Sequence, residues 1–160
     1  MSRLIVDLKC LKNKTTRKYN NLGNVDDGNG KKLGSIHRSE RFRTVVRLVD
    51  FLFCESSTDR FEGFFCKMVV RNLHCLNITN GEEEMCFYMS EGLFSAHKDD
   101  IMLISGQVLD VRIGLWYGMY QSLPIFEIID FKILSKNDVR DFCEFVRSPI
   151  GEKFLDMSNS

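Results

Sequence analysis

The chain has 160 residues and 18.6 kDa, 44% of them hydrophobic and 28% charged, with two prolines, a size that suits one compact domain with a tail rather than a two-domain enzyme. Basic and acidic residues number 22 each, so the formal net charge is zero and a uniformly polybasic binder is excluded. The zero hides an asymmetry, because Met1 to Arg47 holds twelve basic and four acidic residues and the remainder ten and eighteen, giving +8 and −8.

Residues 1–40 read as a basic N-terminal extension. In it Leu4, Val6 and Leu8 alternate with Arg3, Ile5, Asp7 and Lys9, the pattern of a short strand. From Asn13 to Ser39 the chain is polar and rich in Gly, Asn and Asp, which predicts a flexible loop. No stretch reaches the roughly 18 apolar residues of a membrane helix, and the first residues lack a secretory signal, so a soluble intracellular protein is expected. The six cysteines are scattered without a C-x-x-C pair, which predicts buried thiols and no zinc site.

The core begins at Arg41. Arg41 to Cys54 is β-branched and aromatic throughout and too long for a flat strand, so a curved one is expected. Arg60 to Asn72, with Gly63 as a bending point, predicts its antiparallel neighbour. Asn80-Gly81 is a type I′ turn signal ahead of a third strand over Met85 to Met89. Glu91 to Lys98 suits one or two helical turns. Ile101 to Ile113, kinked at Gly106, and Ile125 to Leu134 predict strands four and five, joined by a loop from Gly114 to Pro124. Ser135 or Asn137 caps a helix from Asp138 whose Val139, Phe142, Cys143 and Val146 fall at i, i+3, i+4, i+7, and Pro149 ends or kinks it.

The pattern is mainly β: a five-stranded Greek-key barrel of the OB type over residues 41–135, with a short helix between strands three and four, then an amphipathic helix and polar tail over 136–160. The helix stripe is expected to cover the barrel's open end. The three histidines fall apart in sequence and no catalytic motif accompanies them, so neither an enzyme nor a metal or cofactor protein is expected. A small barrel of this kind offers a face and loops to single-stranded nucleic acid. The candidate cations are Arg43, Arg47, Lys67, Arg71 and Arg112, and the candidate stacking rings are Trp116, Tyr117 and Tyr120. Arg43 and Arg47 share a strand face with Val45 and Val49. Phe145 lies off the helix stripe, and together with Val139, Phe142, Cys143 and Val146 it offers more apolar surface than one barrel needs, which points to a protein partner.

Asp99 to Gly106 leading into strand four, Pro124 to Phe131 as strand five and the terminal amphipathic helix together resemble the small OB subunits of single-stranded-DNA-binding heterotrimers. The arrangement is most similar to the smallest subunit of the telomere-capping CST complex in its budding-yeast form, and to the small subunit of replication protein A. The resemblance implies a non-enzymatic nuclear subunit at telomeres. It implies binding to the middle OB subunit through the barrel and the terminal helix, and through that subunit to the large single-strand-binding one. It further implies contact with telomeric single strands and roles in end protection, telomerase regulation and lagging-strand synthesis. The residues alone leave open an autonomous single-strand binder, or an OB adaptor of another replication or repair complex.

Overall fold

In the computed structural model the described residues are 3–13, 41–54, 64–73, 84–97, 104–116 and 125–153. Strand β1 (Arg3–Leu4) runs parallel to β2 (Arg41–Phe53), and a helix α1 follows whose described residues are 8–13. Then come β3 (Cys66–Arg71), β4 (Glu84–Met89), α2 (Glu91–Ala96), β5 (Val108–Trp116), β6 (Ile125–Ile133) and α3 (Lys136–Arg147).

β2 makes the barrel possible. A register shift between Leu48 and Asp50 leaves Val49 as an extra residue, and such a bulge bends a strand and increases its twist. Arg41 to Arg47 therefore pairs with β5, and Arg47 to Phe53 pairs with β3. The sheet order β1-β2-β3-β4-β6-β5 closes on itself through the β2–β5 pairing, with a parallel contact of β4 to β6 at Tyr88 and Glu127. Closure leaves β2 to β6 without a free edge, the five-stranded barrel of the OB type that the sequence predicts. Alternate residues point inward: Phe42, Val46 and Leu48 on β2, Cys66, Met68 and Val70 on β3, and Phe87 on β4 are all buried in one cluster. Burial in this core pushes the Cys66 thiol up to about 12, aided by nearby Cys54, so no thiolate forms there at neutral pH.

Several boundaries differ from the sequence reading. The strand expected over Ile101 to Ile113 begins only at Val108 and runs on to Trp116. Gly106 is no kink within it. With φ +99 it occupies the left-handed region in a turn before it, where Gly106 N–H donates to Leu48 O and Leu48 N–H to Gln107 O, both at 2.8 Å. The second strand is six residues long, starting at Cys66. The Asn80-Gly81 turn lies outside the described residues. α3 starts earlier than Asp138, capped by Ser135, whose hydroxyl accepts from Asp138 N–H while the Asp138 carboxylate accepts from Ser135 N–H. The helix breaks at Ser148 and a further helical stretch follows at 149–153.

The largest difference concerns what closes the barrel. The terminal helix lies against the outer wall instead, with Cys143 packed on Val45 and Leu73, and Val108, Leu134, Val139 and Phe142 around them. One end is covered by α2, whose Leu93 and Phe94 pack on the core beside Phe51 and Phe65. The N-terminal residues Ile5, Leu8 and Leu11, all 0% exposed, belong to the same interior cluster. They are fastened by Asn72 at the end of β3. Its Oδ1 accepts from Leu8 N–H at 3.0 Å, its Nδ2 donates to Asp7 Oδ1 at 3.1 Å, and Asp7 Oδ1 also accepts from Lys9 N–H. The short strand expected over residues 4–9 is thus two residues of β1 followed by a buried helical turn.

Cys10, Cys54, Cys66 and Cys86 are free thiols, whereas Cys143 is disulfide-bonded to a partner outside the described residues, which corrects the expectation of thiols throughout.

Candidate partner and nucleic-acid interfaces

The five candidate residues of α3 divide between two environments. Cys143 and Val146 are buried, and Cys143 spends its surface on the barrel wall. Val139 and Phe142 are half-buried at the edge of that contact. Phe145 is 42% exposed, and Ile150 beyond the helix break is 75% exposed. The amphipathic helix therefore docks one face on its own barrel and turns large apolar side chains outward with the other.

The short helical stretch that carries Ile150 is held close to α3. Ser148 Oγ donates to Phe145 O at 2.6 Å and accepts from Gly151 N–H at 3.0 Å. A Cβ at Gly151 would stand 1.8 Å from the Phe145 carbonyl oxygen, so only glycine permits this approach.

The five candidate cations likewise separate. Val45 lies between Arg43 and Arg47 on one strand face, and α3 covers it. The two arginines therefore sit on either side of a helix rather than along one open track. On the β2–β5 side, Arg43 pairs across the ladder with Arg112, and its guanidinium donates to both Asp110 oxygens, at 2.8 and 2.6 Å. That hydrogen-bonded pair raises the Arg43 pKa and directs the cation at a carboxylate. On the β2–β3–β4 side, cross-strand neighbours form the rows Arg47, Arg71, Glu84 and Leu52, Lys67, Tyr88 on the outer face. Arg71 Nη2 donates to Glu84 Oε2 at 2.8 Å. Arg47, Lys67 and Arg71 are thus brought together, and Arg43 and Arg112 stand apart from them.

Trp116 is the last residue of β5, opposite Ile125. Tyr117 and Tyr120 lie outside the described residues. The sequence reading missed Tyr88, which stands beside Lys67 with Phe64 at a ring-centroid distance of 5.7 Å. Alternation in the run Glu84 to Met89 is the signal that places it on the outer face. Among the described residues no cluster of three or more His, Cys, Asp or Glu side chains is placed to hold a metal ion.

No family model matches the chain. It is 70% identical, over all 160 residues and the full length of the relative, to the telomere length regulation protein TEN1 of Saccharomyces cerevisiae. Among solved structures, a chain of the crystal structure of yeast Stn1 and Ten1 aligns with a TM-score of 0.58, covering 98% of this chain and 97% of that one at 18% identity, a likeness of fold.

Proposed function

The chain belongs to the TEN1 family of telomere length regulation proteins, and from that premise we propose that it is a non-catalytic telomere-capping subunit of the nucleus that pairs with an Stn1-type middle OB subunit through α3. The observation that carries the reading is the division of that helix into a face docked on the barrel and an outward face bearing Phe145, with Ile150 just beyond it. Exposed aromatic and aliphatic anchors of this kind are where binding energy concentrates in protein interfaces. The partner chemistry comes from the relative's name and from the solved pairing of yeast Stn1 and Ten1.

Titration of the purified Stn1 protein of the same organism by calorimetry tests this. Wild type is expected to bind at one to one, and Phe145→Glu with Ile150→Glu to weaken binding by at least about 100-fold, two hot-spot losses of roughly 2 kcal/mol or more each. The melting temperature should stay within about 2 °C, because both side chains face solvent. Unchanged affinity would remove α3 from the interface.

Contact with telomeric single strands is assigned to the outer β2–β3–β4 face. There Lys67 and Arg47 supply charge and Tyr88 a ring for stacking. In the assembled pair, Arg47→Glu with Lys67→Glu should weaken binding of a single-stranded telomeric oligonucleotide several-fold. It should also lower the slope of log affinity against log salt by about 0.7 per lost phosphate contact. Arg43→Glu, beyond α3 and held by Asp110, should change neither. Equal losses from both substitutions would place the strand elsewhere.

A further inference from the structure

Beside the N-terminal half of α3 runs an open groove of about 540 Å³, lined by residues 104–108 on one side and by Leu134, Lys136 and Val139 on the other. Its walls are fixed by hydrogen bonds. In the turn, Ile104 N–H donates to Gln107 Oε1 at 2.8 Å and Gln107 N–H to Ile104 O at 3.2 Å, while Gly106 and Gln107 are tied to Leu48 of β2. The opposite wall is set by the Ser135–Asp138 capping box, and the floor by Leu134 N–H donating to Val108 O at 2.9 Å. Nothing has to move to form this concavity, so an occupant would bind without a reorganisation cost.

The lining says what kind of occupant fits. Val108, Leu134 and Val139 offer apolar surface, and Ile104 at the rim is 58% exposed, too much to be an ordinary core residue. Lys136 is the lone ionisable lining residue. It lies in the first turn of α3, where the helix dipole adds positive potential, and the nearby Asp138 carboxylate is engaged by Ser135 N–H. An apolar slot with a cationic rim complements an apolar side chain that has a carboxylate next to it. Val139 belongs both to this groove and to the helix assigned above to the partner interface, so the groove continues that surface.

We propose that the groove between the 104–107 turn and α3 is a preformed receptor for the Stn1-type partner, taking a large apolar side chain flanked by an aspartate or glutamate that meets Lys136. The inference rests on the pairing proposed above and extends the interface from the helix face onto the barrel rim.

The test uses the purified partner protein and the full chain, with affinity read by calorimetry at two salt concentrations. Ile104→Arg, which fills the slot with a charged side chain at an exposed position, should weaken binding by at least tenfold. Lys136→Glu should weaken it about three- to tenfold at low salt and much less at high salt. Lys136→Arg should retain wild-type affinity, and circular dichroism should show all three variants folded. If Ile104→Arg and Lys136→Glu bind as wild type does while Phe145→Glu fails, the groove proposal is overturned and the helix reading stands. If neither groove nor helix variants affect binding, both fall. If Ile104→Arg weakens binding but Lys136→Glu strengthens it, a basic partner segment sits there and the acidic one proposed is excluded.

Discussion

Leu8→Ala is expected to lower the stability of the protein by about 2–5 kcal/mol, the range for emptying a fully buried leucine site. At this chain length that amounts to a fall in melting temperature of roughly 5–15 °C. The side chain is 0% exposed and shares the barrel's interior cluster with Ile5 and Leu11. Deleting residues 1–12 removes all three and uncovers the interior to water, and the remaining chain should fail to melt cooperatively at all. Asn72→Leu should cost about 1–3 kcal/mol, since Leu8 N–H and Asp7 would lose a buried partner. Lys9→Ala, exposed on the same turn, should be silent. Thermal denaturation followed by circular dichroism checks the series. A Leu8→Ala protein melting within a degree of wild type would mean that the N-terminal turn does not close the barrel.

Val45→Asp should detach α3. Val45 is 1% exposed beneath Cys143 and beside Leu73, and a carboxylate there has no cation to meet within the cluster. Burying it uncompensated costs several kcal/mol, more than releasing the helix from a small apolar patch. Hydrogen exchange in reducing buffer should therefore show lost protection across Lys136–Arg147, while the interior strands β3 and β5 keep theirs. Partner affinity should fall with the helix. Val45→Ile, a small overpacking, should keep both. Uniform loss of protection across barrel and helix would show instead that the wall and the interior form one cooperative unit.

Much of this protein is legible along the chain because its signals are local. The alternation of Arg41 to Phe53 and the short apolar runs at Cys66–Arg71, Ile125–Ile133 and Glu84–Met89 name the barrel strands. The i, i+3, i+4, i+7 stripe of α3 names a helix that must bury Cys143 and Val146 somewhere. The face shared by Arg43, Val45 and Arg47 is likewise a matter of period two.

The three-dimensional structure alone decides what each face meets. Periodicity shows that α3 has an apolar side but not whether an open barrel end or an outer wall receives it, since both are apolar in one dimension. Ile5, Leu8 and Leu11 fit a strand's alternation partly and a helix's spacing equally, and seven residues are too few to separate the two. Asn72 resolves the choice from 64 positions away by hydrogen-bonding Leu8 N–H. The placement of α3 over Val45 then splits the cations that sequence groups together, and the Asp110 and Glu84 partners of Arg43 and Arg71 come from strands that closure brings alongside. Sequence determined the elements and their faces because those depend on neighbours within a few residues. Closure of the barrel determined the interfaces, because burial, ion pairing and access depend on contacts between residues far apart in the chain.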